Sequence, residues 1–174
     1  MRIIGGTHRG RVIASPVGSQ IRPTSDRARE AIFNSLFSIG LPEGAVVVDA
    51  FAGTGAMGLE AASRGAADVV FLESDPGACR AIERSLSELG LPGTVVVGDA
   101  VAGVARIADA DLVLADPPYD FDEWDRFVAN CPPCVLVLES DRAVTVDHLP
   151  GWRVLRERRY GVAVVTMLSP ELEP

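Results

Sequence analysis

Short apolar runs, each rich in valine, recur along the chain from residue 45 and alternate with stretches of helical periodicity. The runs are continuous rather than alternating between polar and apolar residues, which is typical of strands buried on both faces of a parallel sheet. They occupy residues 45–50, 68–73, 94–98, 111–115 and 134–139. Helices are predicted between them, near 56–64, 76–89, 101–107 and 122–130. This rhythm predicts an α/β, doubly wound, Rossmann-like fold.

The two ends of the chain depart from this rhythm. Residues 152–160 and 162–168 are strand-like and meet at Gly161 without room for a crossover helix. They are therefore predicted to form an antiparallel hairpin at the sheet edge. At the other end, residues 2–4 and 11–14 flank a glycine-rich link and predict a second hairpin.

A first helix is predicted over roughly 25–39, with Thr24 or Ser25 able to cap its start. Apolar residues recur on one of its faces. This face holds Ala28, Ile32, Leu36 and Ile39, with Phe33 and Phe37 beside them. The chain is therefore divided into an N-terminal basic hairpin arm, residues 1–23, and a larger domain, residues 24–174.

Length and composition place this chain among single-domain globular proteins. Its 174 residues are enough to bury a sizeable core. No apolar stretch approaches the ~20 residues that a membrane span needs. The N-terminus lacks the long apolar segment of a secretory signal, so we expect a cytoplasmic protein with no membrane partner.

Charge is distributed unevenly along the chain. The formal net charge is -8, yet the first 30 residues carry six arginines against Asp26 and Glu30. A basic segment on an acidic body favours contact with the phosphates of a nucleic acid, although an ordinary solvated surface is the alternative. The candidate contacts are Arg2, Arg9, Arg11, Arg22 and Arg27.

A glycine-rich segment, Asp49–Gly58, follows the first strand and opens a helix. Glycine there permits a positive φ and lets the backbone approach a ligand closely. Its glycine spacing is similar to that of a dinucleotide-binding loop, but the Asp49 carboxylate would repel a pyrophosphate. A carboxylate suits a cofactor that carries an ammonium and a sulfonium, which favours S-adenosylmethionine over NAD. The alternative is a tight turn that binds no ligand.

Acidic residues also end the next two strands. Glu73 can accept hydrogen bonds from both ribose hydroxyls, and Asp99 can hold an adenine amino group. The alternatives are a surface acid for Glu73 and a helix N-cap for Asp99. Asp75 is expected to begin the following helix. The candidate cofactor-binding residues are Asp49, Phe51, Gly53, Gly55, Glu73, Asp99 and Ala100.

The segment Asp116–Tyr119, with the sequence Asp-Pro-Pro-Tyr, is the most specific signal. Each proline fixes φ and removes an N–H donor, so this corner presents mainly hydrogen-bond acceptors. A carboxylate and a carbonyl can accept both hydrogens of a base amine and aim its lone pair at a methyl group. Tyr119 can stack on the base. The candidate catalytic residues are Asp116, Pro117 and Tyr119, and a plain proline turn is the alternative.

The cysteines and the remaining acids give little support for a metal or redox site. Cys131 and Cys134 have the spacing of a redox pair, but Cys134 opens an apolar run instead of a helix. The acids between residues 120 and 125 are interpreted as a solvated helix start. No metal site is predicted.

The glycine loop, the strand-end acids and the Asp-Pro-Pro-Tyr corner together resemble class I S-adenosylmethionine-dependent methyltransferases that act on amino groups. The N-terminal sequence MRIIGGTHRGR, followed by RPTSDRAREAIFNSL, is similar to the opening of the RsmD family, the 16S ribosomal RNA guanine-N2 methyltransferases. This resemblance covers essentially the whole chain.

The resemblance implies a seven-stranded mixed sheet, preceded by the hairpin and the first helix. It places S-adenosylmethionine over the glycine loop and the target guanine, numbered 966 in that RNA, at the Asp-Pro-Pro-Tyr corner. It further implies that a monomer acts on 16S ribosomal RNA in the small subunit or its assembly intermediate. The alternatives are a methyltransferase of another RNA guanine or of DNA adenine, and a nucleotide-binding module without catalysis.

Overall fold

A mixed β-sheet forms the centre of the molecule. The computed structural model describes residues 1–14, 26–145 and 149–171. Across these ranges the sheet has seven strands, in the order β3-β2-β1-β4-β5-β7-β6. They are β1 (Val46–Ala50), β2 (Asp68–Glu73), β3 (Thr94–Val97), β4 (Leu112–Ala115), β5 (Val135–Ser140), β6 (Trp152–Tyr160) and β7 (Ala163–Pro170). The first five strands are parallel, and β7 is antiparallel to both β5 and β6.

Helices cover both faces of this sheet. They are α1 (Asp26–Phe37), α2 (Ala56–Ser63), α3 (Pro76–Leu89), α4 (Ala100–Val104) and α5 (Trp124–Asn130). Val47 and Leu112 pack in one cluster with α1, α2 and α3, while their neighbours Val48 and Val113 pack in a second cluster with α4 and α5. This alternation is what a parallel sheet buried on both sides requires. The predicted doubly wound α/β fold is confirmed.

The strand order reverses at β1, which lies between β2 and β4. In open α/β sheets a ligand crevice forms outside the carboxyl ends of the strands at such a reversal. The segments that follow β1, β2, β3 and β4 are those in which the sequence predicts functional residues, so the topology gathers them at one end of the sheet.

Two burial expectations fail at the edges of the fold. The β3 strand is mostly exposed, with Val97 at 59% exposure, because it is an outer strand of the sheet. The first helix ends at Phe37, and both Phe37 and Ile39 are exposed although they share a predicted apolar face. The C-terminal hairpin is confirmed, with a β-bulge between Val154 and Arg156.

The N-terminal segment folds back as a tight hairpin on the helical layer. Arg2 and Val12 form an antiparallel bridge, and Ile3 and Ile13 are buried in the same cluster as α1, α2 and α3. Residues 15–25, which include Arg22, Thr24, Ser25 and the division at residue 23, lie outside the described residues. The division into an arm and a larger domain stays a prediction.

A buried carboxylate fastens this hairpin to α2. Glu60 is fully buried and accepts hydrogen bonds from the backbone N–H groups of Ile4 and Gly5, at 2.7 and 2.8 Å. Its Oε1 also pairs with Arg64 Nε at 2.7 Å, and its Oε2 lies 3.9 Å from Arg29 Nε. The hairpin is therefore held by α2, the helix into which the glycine loop continues.

Candidate active site

A cavity of about 980 Å³ opens at the carboxyl ends of the parallel strands. It brings together the glycine loop after β1, the acids after β2 and β3, and the Asp-Pro-Pro-Tyr corner after β4. Of the predicted cofactor and catalytic residues, those that line it are Asp49, Phe51, Gly53, Glu73, Asp99, Ala100, Asp116, Pro117 and Tyr119. One cavity therefore holds both predicted half-sites.

Gly55 is the predicted cofactor residue that does not line the cavity. It is the N-cap of α2, with φ at 73°. A Cβ there would lie 2.9 Å from Ile82 Cγ1, which is closer than normal packing allows. Its role in this structure is to turn the chain from the loop into the helix.

Two strand-end carboxylates hold the glycine loop in shape. Asp49 Oδ2 accepts a hydrogen bond from Gly58 N at 2.7 Å, and Glu73 Oε2 accepts one from Gly53 N at 2.6 Å. Glu73 Oε1 also accepts hydrogen bonds from Asp75 N at 2.8 Å and from Ser74 Oγ at 3.4 Å. A carboxylate can accept up to four hydrogen bonds, so Asp49 keeps most of its capacity for ligand donors and Glu73 keeps less. The acids predicted to bind cofactor thus also position the loop backbone beside them.

The protonation of Asp49 is set by its depth in the structure. The residue is 3% exposed, and burial raises its pKa from the ordinary 3.8 to about 8. The hydrogen bond from Gly58 opposes this rise, while the charges of Asp116 and Glu73 add to it. Asp49 is therefore largely protonated at neutral pH in the unliganded protein, and a cationic ligand would favour loss of that proton.

Helix caps occupy one oxygen of each of the next two acids. Asp75 caps α3 by accepting from Ala78 N at 2.8 Å, which confirms the expectation for that residue. Asp99 caps α4 through its Oδ1, which accepts from Ala102 N at 2.7 Å. Asp99 also lines the cavity, so the carboxylate that caps the helix is the one predicted to bind the cofactor.

Phe51 carries backbone strain at the edge of the cavity. Its φ is 60°, in the left-handed region that residues other than glycine seldom adopt. Its ring packs against Phe121 and Phe127, with centroid distances of 5.1 and 5.5 Å. Strain of this kind persists where surrounding packing enforces it, and it is concentrated at functional sites.

The Asp-Pro-Pro-Tyr corner leaves β4 with its acidic residue half-buried in the cavity wall. Phe121 N donates to the carbonyl of Pro118 at 2.9 Å and closes a turn. Since the turn uses the Pro118 carbonyl, the acceptors best suited to an amine are the Asp116 carboxylate and the Pro117 carbonyl. Tyr119 is half-buried in the same wall.

The cavity is strongly acidic. Among the described residues that line it, none is Arg, Lys or His. Its acids are Asp49, Glu73, Asp75, Asp99, Asp116, Glu123 and Glu139. Such a wall disfavours a pyrophosphate and suits a cationic cofactor, as the sequence predicts from Asp49 alone.

Sequence reasoning did not identify Glu139 as a site residue. The signal was present, because this acid ends a parallel strand in the same way as the others. It also missed Met1, Tyr160 and Val162, which line the cavity from the N-terminus and the C-terminal hairpin. Nothing in the local sequence of those residues indicates that the fold returns them to the site.

The predicted nucleic-acid contacts differ in their position relative to the cavity. Arg2 and Arg27 are exposed and adjoin Met1 and Ala28, which line it. Arg9 and Arg11 are also exposed, in the hairpin. Arg22 lies outside the described residues.

Arg29, one of the six N-terminal arginines, belongs to the core and is not available for contact with phosphates. It is fully buried, and its Nη2 donates to the Arg2 carbonyl at 2.8 Å and pairs with Asp26 at 3.0 Å. Within the described ranges its Nε has no hydrogen-bond partner, although Glu60 is 3.9 Å away. Counting arginines along the sequence could not separate this structural guanidinium from the exposed ones.

The cysteine pair lacks the surroundings of a reactive thiol. Burial raises the pKa of both Cys131 and Cys134, to about 12 for Cys134, whereas redox-active thiols have lowered values. In the part of the chain that the structure describes, no group of three or more His, Cys, Asp or Glu side chains has an arrangement that could hold a metal ion. No helix in that part is long and apolar enough to cross a membrane.

Comparison with known proteins identifies the family. The model of a family described as "Conserved hypothetical protein 95" matches residues 1–169. The chain belongs to this family. The resemblance to the RsmD family is confirmed by relatives that carry the name "Ribosomal RNA small subunit methyltransferase D".

The relatives of this family member differ in how much of each chain aligns. The protein of that name from Escherichia coli K12 is 48% identical over 75 residues, which cover 43% of this chain and 37% of that protein. The protein from Haemophilus influenzae is 27% identical over 176 residues, covering 93% and 90%. A solved structure described as "Putative methyltransferase yhhF from Escherichia coli" is 30% identical, covers 99% of both chains and has a TM-score of 0.86.

Proposed function

We propose that this protein transfers a methyl group from S-adenosylmethionine to the exocyclic N2 of a guanine in the 16S ribosomal RNA of the small subunit. The observation that carries the proposal is the shared cavity, in which the Asp49–Gly58 loop and the Asp116 corner lie together. Family membership supports it, through relatives named ribosomal RNA small subunit methyltransferase D.

The residues on the glycine-loop side of the cavity fit S-adenosylmethionine. Asp49 and the glycine backbone would hold its amino-acid end, Glu73 its ribose, and Asp99 with Ala100 its adenine. The acidic wall would attract a ligand with two positive groups. When bound, S-adenosylmethionine supplies a methyl group that is electrophilic because it is attached to a positively charged sulfur.

The residues of the corner act on the base amine. Its nitrogen is a weak nucleophile because its lone pair is delocalised into the ring. Asp116 and the Pro117 carbonyl accept its two hydrogens, which directs the lone pair towards the methyl group. The nitrogen would form its bond to the methyl carbon as the carbon–sulfur bond breaks, which leaves a neutral thioether, and it would then lose one proton to the Asp116 carboxylate. Tyr119 stacks on the base to hold this geometry.

The rest of the surface has to engage ribosomal RNA. Exposed Arg2, Arg9, Arg11 and Arg27 supply phosphate contacts, and Arg22 is proposed with them from its place in the sequence. The acidic body disfavours binding to free RNA, so the substrate is proposed to be a small subunit or its assembly intermediate. The protein is proposed to act on it as a monomer in the cytoplasm. The target is proposed to be guanine 966, from the likeness to the RsmD family.

The test is incubation of the protein with labelled S-adenosylmethionine and small subunits that lack the modification, followed by mapping of the modified nucleotide. Label at N2 of one guanine is expected. Label on another RNA guanine or on DNA adenine would favour the alternative substrates. Binding of NAD in place of S-adenosylmethionine, with no transfer, would instead indicate a nucleotide-binding module.

A further inference from the structure

The Asp-Pro-Pro-Tyr corner, which begins at Asp116, does not by itself distinguish guanine from adenine. An acceptor pair that grips an exocyclic amine can serve guanine N2 or adenine N6 equally well. Selection of guanine therefore needs a second group, placed beside Asp116, that distinguishes the ring atom next to the amine. In guanine that atom is N1, which carries a hydrogen, whereas in adenine N1 is an unprotonated acceptor.

Glu139 lies on the strand beside Asp116. The β4 and β5 strands are parallel, with Ala115 paired to Leu138, so Asp116 and Glu139 are the next residues in register. Side chains at paired positions leave the same face of a sheet, and neighbouring strands lie about 4.8 Å apart. Both residues line the cavity.

Glu139 forms part of the cavity wall and is 7% exposed. The cavity wall beside it is completed by Tyr160, Val162 and Ala163 from the C-terminal hairpin. A planar base inserted against Tyr119 would thus meet two acids side by side along one edge.

We propose that Glu139 accepts a hydrogen bond from N1–H of the target base and so selects guanine over adenine at the Asp116 corner. This inference rests on the proposed function. Guanine presents N1–H and the N2 amine as adjacent donors, which match two adjacent carboxylates. Adenine would set the lone pair of its N1 against the Glu139 carboxylate, an arrangement that is repulsive.

The experiment uses a base that keeps the reacting amine but lacks N1–H. Small subunits are reconstituted with either guanine or 2-aminopurine at the target position, and methyl transfer to each is measured as kcat/KM. For the wild-type protein, 2-aminopurine should be about 10³-fold or more the poorer substrate, because a site built to accept a hydrogen bond rejects an analogue without the donor. Equal methylation of the two bases by the wild-type protein would overturn the proposal without any variant.

The Glu139→Gln substitution then tests whether Glu139 causes the preference for guanine over 2-aminopurine. The amide of Glu139→Gln can donate to the unprotonated N1 of 2-aminopurine, so the ratio of guanine to 2-aminopurine activity should narrow by at least about tenfold. Binding of S-adenosylmethionine to this variant should be unchanged. Asp122→Asn, at an exposed acid outside the cavity lining, should keep the wild-type ratio.

The remaining outcomes separate the two proposals. A Glu139→Gln protein that loses activity on both bases by the same factor would show a structural or chemical role and would overturn the specificity assignment. Failure of the proposed function looks different, because the wild-type protein would then bind S-adenosylmethionine but transfer no methyl group to unmodified subunits that carry guanine.

Discussion

Asp49 carries a proton at neutral pH in the unliganded protein, because burial raises its pKa to about 8. The cationic cofactor favours the ionised form, so its binding at pH 7 should release a proton. Affinity should then fall about tenfold for each pH unit below 8. Calorimetry in buffers of different ionisation enthalpy measures the proton release, and Asp49→Asn should show none. Binding without proton release in the wild-type protein would remove Asp49 from the cation site.

Ionisation of the Asp49 carboxyl should also change the free energy of unfolding of the unliganded protein. Because the pKa is raised on folding, the native state binds the proton more tightly than the unfolded chain between about pH 4 and pH 8. Stability should therefore fall as pH rises through that window. Urea unfolding should show that Asp49→Asn gains stability relative to wild type from pH 5 to pH 8. A difference that stays constant with pH would contradict the buried, protonated state.

Asp116 is expected to act in turnover more than in cofactor binding. Asp116→Ala should lower kcat by about 10²–10³-fold, the usual effect of removing one preorganised polar group. Since the charge of Asp116 adds to the raised pKa of Asp49, its removal should not weaken cofactor affinity at neutral pH. Single-turnover methylation and calorimetry separate the two effects. Wild-type turnover in the variant would exclude the amine-gripping role.

At the residue scale the sequence predicts which acids line the cavity better than it predicts structural roles. Asp49, Glu73 and Asp99 lie at the ends of apolar strands, and parallel strand ends meet at one edge, so their convergence can be derived from the sequence alone. Gly55 and Arg29 could not be assigned in this way. Their roles depend on Ile82 and Glu60, which are distant in the sequence and are brought near only by helix packing.

At the element scale, α2 joins the N-terminal hairpin to the glycine loop. Glu60→Ala would remove the acceptor for two backbone N–H groups and the carboxylate that pairs with Arg64. It would also leave buried Arg29 with only the exposed carboxylate of Asp26. Breaking a buried pair from one side costs about 3–5 kcal/mol, and we expect a loss of that size in the free energy of unfolding.

The matched control for this prediction is Glu88→Ala. Glu88 pairs with Arg84 at 2.6 Å and i,i+4 spacing, as Glu60 pairs with Arg64, but both partners are exposed. Because water screens exposed pairs, this substitution should change the free energy of unfolding only slightly. Urea titration compares the two variants. Similar losses would mean that the buried cluster does not fasten the hairpin.

The succession of elements could be predicted from the sequence, whereas their limits and outer surfaces could not. Apolar runs and helical periodicity report burial along the chain, so strands and helices were found in the right order. They do not report which strand lies at the edge, and β3 is exposed for that reason. The exposed Phe37 and Ile39 show the same limit, because a periodic face does not reveal how far neighbouring elements extend over it.

At the scale of the whole molecule, the distribution of charge has to reconcile an acidic cavity with the polyanionic substrate that is proposed. The net charge is -8, and the cavity wall is acidic. Exposed arginines lie close to the cavity at two places, at Arg2 and Arg27 beside Met1 and Ala28, and at Arg158 and Arg159 beside Tyr160. Arg9 lies further away, since Thr7 and His8 contact Ser63, at the end of α2 opposite the glycine loop. That helix of eight residues is about 12 Å long.

This arrangement predicts an ordering among the arginines in RNA binding. Substituting Arg9 and Arg11 together by alanine should weaken binding to small subunits, and the log–log slope of affinity against salt should flatten by about 0.7–0.9 for each phosphate that the variant no longer neutralises. Replacing Arg2 and Arg27 should do the same and should also lower kcat, because these residues adjoin the cavity and would position the RNA next to the reacting base.

Binding titrations at several salt concentrations test this ordering, and the double substitution of Arg80 and Arg84 is the charge-matched control. Those two arginines are exposed on α3, and replacing them removes the same positive charge from a part of the surface with no proposed RNA contact. The control should keep the wild-type salt slope, because the slope depends on how many phosphates the protein neutralises and not on its net charge. If only the Arg158 and Arg159 substitutions flatten the slope, the RNA surface lies on β6 and the N-terminal hairpin is a structural element. The fastening of that hairpin by Glu60 would then serve to support the glycine loop through α2.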